Sequence, residues 1–161
     1  MKKFWGALLL LILCQCFSAQ VFADEISDYA YQIMDLQYQK KSSQALAKAN
    51  EAIKKYPNNS ELYLHRAIVY DDLNQKRAAL TDLDKAISLD PKNSDAYYWR
   101  GAVKMDMNSP QSAYKDFTTC LQLKPNSSSC YSMRGLVRIE LGDEGGMKDL
   151  EKGNAIMDEY N

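Results

Sequence analysis

Histidine is almost missing from this sequence: His65 is the only one, and there are just four cysteines. A zinc cage needs three or four such ligands at short spacing, and neither a Cys-x-x-Cys pair nor a paired-histidine helix is present. No metal and no cofactor are expected. An excess of either charge is lacking too, with 20 Lys+Arg against 21 Asp+Glu. That balance argues against a nucleic-acid partner, because phosphate contact needs a basic surface that displaces counterions. Gly-rich phosphate loops are absent; Gly145-Gly146 has no Lys-Ser or Lys-Thr after it. With no nucleophile or second histidine beside it, His65 reads as a surface or groove residue rather than a catalytic base, and no enzyme is expected. The chain holds only four prolines, and three of them turn out to be punctuation.

Long apolar runs are also scarce. The single one lies at the start, where Met1-Lys2-Lys3 precedes an almost wholly apolar stretch from Phe4 to Phe17, followed by Val21-Phe22-Ala23. A basic start, a short apolar core and small residues at the cleavage positions form the pattern of a secretory signal. Residues 1–23 are expected to be that signal, with cleavage after Ala23 or, as the second choice, after Ala19. The run is too short for a comfortable membrane span, although a retained anchor helix stays open. A lipoprotein is the other alternative, since Cys14 and Cys16 sit where an acylated cysteine would sit. Leu13 and Gln15 fit poorly before such a cysteine, which favours the ordinary signal. The Met-Lys-Lys start looks bacterial, so the expected destination is the periplasm or the medium.

The remainder repeats itself. Pro57, Pro91 and Pro125 recur every 34 residues, and Tyr29, Tyr63, Tyr97 and Tyr131 keep the same interval. So do Arg66, Arg100 and Arg134; Ala67, Gly101 and Gly135; Ala45, Ala79 and Ala113; Ala49, Leu83 and Phe117; and Ala52, Ala86 and Cys120. Within a unit the apolar residues recur at three- and four-residue steps, as in Leu62, Tyr63, Ala67, Tyr70 and Leu73, which predicts a helix. Asn74, Asn108 and Gly142 mark its end, because Asn and Gly tolerate the left-handed backbone that stops a helix. A second helix over about 77–89 follows in that unit and stops before Pro91, since the residue ahead of a proline is pushed out of helical geometry. Asn93 and Ser94 then stand where a helix cap belongs. One such pair cannot bury its apolar face, so neighbours must stack.

The order of an aromatic, a small residue, Tyr, Ala, a large apolar residue, Ala and Pro in 34 residues resembles the tetratricopeptide repeat, best in Tyr63, Ala67, Tyr70, Ala79, Leu83, Ala86 and Pro91. The units are about 26–59, 60–93, 94–127 and 128–161. The first departs at Ile33 and Leu36, and the third at Lys104. The fourth is one residue short near 142–146. The resemblance implies an all-α, right-handed α-solenoid of about four helix-turn-helix units and eight helices over 24–161. It further implies a non-catalytic interaction module (an adaptor, scaffold or assembly factor) that binds a peptide segment on its concave face. A lipid-anchored pilot of an envelope machine, a secreted effector, and a regulator or enzyme with an unrecognised site are the alternatives.

That concave face is formed by the first helix of each unit. Its candidate residues are Met34 and Tyr38, then Leu64, Ile68, Asp71 and Asp72, then Tyr98, Met105 and Asp106, then Leu136, Ile139 and Glu140. An apolar floor with an acidic margin calls for a partner segment carrying apolar anchors and one or more Lys or Arg. Some family members grip a C-terminal carboxylate with Lys, Arg and Asn; Ala30, Leu64, Tyr98 and Ser132 cannot do so. Replacing Leu64 and Tyr98 by Asp is expected to abolish partner capture with helicity intact. The alternative, that some of these side chains pack between adjacent helices, stays open. The three arginines are expected to lie along the stack with their heads paired to carboxylates. After signal removal only Cys120 and Cys130 remain, and a disulfide between them would pin the fourth unit in an oxidising compartment; two buried thiols are the alternative. No membrane span is expected after cleavage, and the chain is expected to be a monomer.

Overall fold

The computed structural model describes residues 23–159, which form an all-α helical-repeat fold with no strand among them. The expected signal, residues 1–23, lies outside that range except for its last residue. The helices pair as α1 (23–38) with α2 (Ser42–Lys55), α3 (Ser60–Asp72) with α4 (Lys76–Leu89), α5 (Ser94–Asp106) with α6 (Pro110–Leu123), and α7 (Ser128–Glu140) with α8 (Gly146–Asp158). None is long and apolar enough to cross a membrane among the described residues.

Two turns, each repeated, draw this pattern. Inside a unit the chain reverses through one left-handed residue: Lys40, Asn74, Asn108 and Gly142, with φ of 59°, 57°, 56° and 76°. The next residue's N–H closes back on the helix just ended, Lys41 to Leu36 O, Gln75 to Tyr70 O, Ser109 to Lys104 O and Asp143 to Arg138 O, at 2.8–2.9 Å. This bond satisfies a carbonyl that the helix end would otherwise orphan. Lys40 shows that the geometry is imposed by the stack, since its residue type carries no such preference. Between units, Asn59, Asn93 and Ser127 cap α3, α5 and α7 by accepting from the N–H of Leu62, Ala96 and Cys130.

Each unit closes on one matched pair of side chains, the residue in the middle of its first helix and the facing residue of its second. The pairs are Ile33 with Ala49, Ala67 with Leu83, Gly101 with Phe117 and Gly135 with Leu150. Where one is large the other is small. A Cβ on Gly101 would stand 2.8 Å from the Phe117 ring, and one on Gly135 would stand 2.8 Å from the Gly146 carbonyl oxygen. The departure of the first unit is thereby explained: Ile33 fills the volume that Ala49 leaves, where Leu83 and Phe117 fill it from the other side.

Units join along an apolar seam. Leu62 and Val69, Ala96 and Val103, and Cys130 and Val137 are buried against the preceding unit. Each such Val or Leu contributes roughly 1.5–3 kcal/mol on leaving water. The register places Asp28 and Asp35, both exposed, at the same positions of the first unit. At the other end, the seam residues Ile53, Ile87 and Leu121 have their counterpart in exposed Asn154. Both outer faces are thus polar where a further unit would need apolar contacts.

The arginine row lies across these seams. Arg66 donates to Asp82 (2.6 and 2.8 Å), Arg100 to Asp116 (3.0 and 2.7 Å) and Arg134 to Asp149 (2.7 and 2.8 Å). The three carboxylates are buried. Each guanidinium also lies over the repeating tyrosine, Tyr63, Tyr97 or Tyr131, at 5.3–5.5 Å from the ring centre. Arg66 reaches back to Asn50 and Arg100 to Asp84, both in the preceding unit. The third equivalent is Thr118, whose hydroxyl is buried without a partner; Arg138 supplies the extra bond to Asp149 instead. Lys104, where the second unit has Tyr70, makes a 2.7 Å bond to Asp116. The pairs are 16 residues apart in the second and third units and 15 in the fourth, which places the missing residue between Gly142, still in register, and Asp149 of α8.

Asp149 carries a pH consequence. Burial pushes its carboxyl upward, but the Arg134 and Arg138 guanidiniums outweigh that and hold it below the ordinary aspartate value. The folded chain therefore binds fewer protons there than the unfolded chain. The contribution is present above the unfolded pKa and is lost as pH falls through the folded one. The urea midpoint is expected to decline below about pH 4, and Asp149→Asn is expected to flatten that decline. An identical acid limb in the variant would refute this account.

Candidate functional site

The first helices of three successive units enclose a groove of about 990 Å³. Ala30, Tyr31, Met34 and Gln37 of α1, Leu64, His65 and Ile68 of α3, and Trp99 of α5 line it. The floor is apolar because the stack turns the same face of each helix inward. Its rim comes from the inter-unit turns and first helical turns, Asn59, Ser60, Glu61, Asp90, Asn93 and Asp95. The capping bonds that end one helix and start the next thus also set the rim.

Met34, Leu64 and Ile68 of the expected surface meet in this groove. Met34 is 55% exposed and available to a partner. Leu64 is only 7% exposed and belongs to the core with Ala67 and Leu83, and Ile68 packs on the same cluster. Tyr98 leans edge-on against Trp99 and on Phe117, with ring centres 5.6 and 6.0 Å apart, and Met105 packs on Ala113, Phe117 and Val137. The expectation that Asp at Leu64 and Tyr98 leaves helicity intact is therefore corrected: either change puts a charge beside a packed core. Tyr38 is 88% exposed beyond the groove lining, and exposed Leu136, Ile139 and Glu140 lie on α7, away from it.

The acidic margin is partly consumed. Lys76 bridges Asp71 (2.8 Å) and Asp106, and Asp72 accepts from Gln37 Nε2 at 2.7 Å. These pairs tie the ends of α1, α3 and α5 together, which positions the groove walls. The carboxylates that face the cavity are instead Glu61, Asp90 and Asp95, and no Lys or Arg is among its lining residues. The His65 imidazole, with Nε2 3.7 Å from the Glu61 carboxylate, holds that group below the ordinary glutamate value. His65 Nδ1 is buried with no hydrogen-bond partner.

Tyr31 and Trp99 were not among the expected groove residues, and His65, expected as a surface or groove residue, joins them there. They share one register, 34 apart, one place before the arginine position, and a search of each repeat position for side chains between successive first helices would have found them. The rim acids could be found only by knowing that the inter-unit turn borders the groove. Among the described residues, no cluster of three or more His, Cys, Asp or Glu could hold a metal.

Cys120 of α6 and Cys130 of α7 lie side by side, both buried, with Cα atoms 6.3 Å apart and their sulfurs within bonding distance. That separation is one a disulfide spans without moving the backbone. Leu121, Tyr97, Tyr98 and Tyr131 surround them.

Two family descriptions match the chain, "TPR repeat" over residues 70–108 and "Tetratricopeptide repeat" over 94–127. Among solved structures, a crystal structure of MamA superposes with a TM-score of 0.74 at 19% identity, covering 84% of this chain and 80% of that one. The first TPR domain of Spaghetti (RPAP3), bound to the HSP90 peptide SRMEEVD, gives 0.69 at 23% identity, covering 73% and 94%. The Arabidopsis OM64 TPR domain gives 0.68 at 25% identity, covering 71% and 95%. No curated protein sequence matches the chain.

Proposed function

We propose that the chain, which matches tetratricopeptide-repeat models over residues 70–108 and 94–127 and shares the fold of solved tetratricopeptide-repeat domains, is a non-catalytic adaptor, scaffold or assembly factor of the bacterial envelope that holds a partner's segment in the groove between α1, α3 and α5. One observation carries this reading: the groove presents exposed Met34 and Tyr31 beside three carboxylates and no Lys or Arg, a combination suited to a polypeptide with apolar and basic side chains. The peptide held by the RPAP3 domain, SRMEEVD, ends in acidic residues. The groove here carries carboxylates of the same sign as that peptide's end, which disfavours a segment of that kind.

The test uses Met34, because its exposure separates binding from folding. Met34→Asp is expected to reduce partner capture from an envelope fraction at least tenfold, the loss of a central apolar anchor, with the helical circular dichroism unchanged. Undiminished capture would place the binding surface elsewhere. The location is tested by fractionation of the tagged chain, with palmitate labelling to separate a lipid-anchored form from a released one.

The oxidised Cys120–Cys130 pair belongs to the same proposal. Closing that ten-residue segment contributes about 2–3 kcal/mol and ties the fourth unit to the third. The exported protein is expected to show no alkylatable thiol at these positions by mass spectrometry without reductant; finding both alkylated would end it.

A further inference from the structure

The groove is chemically divided along its length. Met34 and Ile68 supply an apolar end, while Glu61 and Asp95 stand in the first turns of α3 and α5. Glu61 and Ile68 are seven residues apart on one helix, which at 1.5 Å per residue separates the two ends by about 10 Å. An extended peptide advances roughly 3.3 Å per residue, so about three residues cover that distance. Trp99 lies one turn beyond Asp95 on the same face of α5 and lines the groove, offering an aromatic ring to a cation held by the acids.

We propose that the groove reads a spacing: a partner segment in which an apolar side chain and a Lys or Arg are about three residues apart, the first seated on Met34 and Ile68, the second between Glu61 and Asp95. This rests on the groove reading above and adds the ligand's charge and register. The charge requirement follows from the lining, which holds Glu61, Asp90 and Asp95 but no Lys or Arg, His65 beside Glu61 being its one titratable base. The spacing requirement follows from the rigidity of α3, which carries one element of each end.

The experiment measures anisotropy of short labelled peptides in a Gly/Ser background with the full chain. The peptides carry Leu-x-x-Arg, Arg-x-x-Leu, Leu-x-x-Glu, or Leu and Arg adjacent. One of the two spaced Leu/Arg peptides is expected to bind, with affinity falling as salt rises. The Glu peptide, and the Glu61→Gln/Asp95→Asn variant with the Arg peptide, are each expected to bind about tenfold more weakly, the sum of two partly exposed ion pairs. Equal binding of the Arg and Glu peptides, of the spaced and adjacent peptides, or of parent and carboxamide variant would overturn the proposal. In those cases continued sensitivity to Met34→Asp would show that the groove is still the site, whereas insensitivity to it would remove the groove reading itself. Failure of every peptide to bind overturns the proposal, as does a free chain that sediments as a dimer broken by Met34→Asp, which would assign the groove to a second copy.

Discussion

Asp116→Ala is expected to lower stability by about 3 kcal/mol, the low end of the cost of breaking a buried ion pair, because the carboxylate is buried while the Arg100 guanidinium is only partly so. The magnitude follows from the wiring. Asp116 is buried and accepts two bonds from Arg100 and one from Lys104, so its loss weakens the hold on two partly buried cations at once. Arg100 also holds Asp84 of the preceding unit, so the third unit would loosen from the second as well. A small domain has only about 5–15 kcal/mol in total, and the variant should unfold at a much lower urea concentration by circular dichroism. Replacing Arg100 by Met and Lys104 by Leu together with Asp116→Leu is expected to recover most of the loss, because exchanging a buried ionic set for apolar packing is often neutral. A single Asp116→Ala variant as stable as the parent would show that the ladder contributes only register.

Phe117→Ala is expected to cost a similar amount, about 3–5 kcal/mol for a fully buried aromatic. Phe117 is completely buried and fills the space above Gly101, between Ala113 and Val137, so it joins the third unit to itself and to the fourth. The matched-pair rule predicts more than the single loss. Gly101→Ala alone drives a methyl to 2.8 Å from the ring and is expected to destabilise, by about 1–3 kcal/mol for overpacking. Gly101→Ala with Phe117→Leu rebuilds the pair that Ala67 and Leu83 form in the second unit, and should be more stable than the sum of its parts. Denaturation of the two single variants and the double variant forms the cycle. Strict additivity would mean that the two positions do not share one volume.

The fold was legible because a 34-residue period constrains many residues at once: a misread helix in one unit is corrected by the other three. Asn74, Asn108 and Gly142 announced the internal turn by their residue type, and Pro57, Pro91 and Pro125 announced the external one. Lys40 announced nothing, and only the register placed it. The arginine row was legible as a row, but its partners were not, because Asp82, Asp116 and Asp149 are 15–16 residues away across a helix pair. The groove was legible less fully. Helical phase identifies the residues that face inward, but not how deeply each is sunk between neighbouring helices. Met34 stays open on α1, whereas Leu64 is sunk in the core of its unit and Tyr98 is packed against Trp99 and Phe117. Which acids remain uncompensated depends on where the long arm of Lys76 reaches, and that is settled only in three dimensions.

The polar residues at the two ends of the stack bear on how such a molecule could change size. A duplicate of residues 60–93 placed beside its original would meet matching neighbours, apolar seam against apolar seam. A duplicate of the first or last unit would bury Asp28 and Asp35, or Asn154, against a hydrocarbon surface. Duplication of an interior unit is therefore the length change that these seams accommodate, whereas duplication of an outer one would leave polar side chains in an apolar seam.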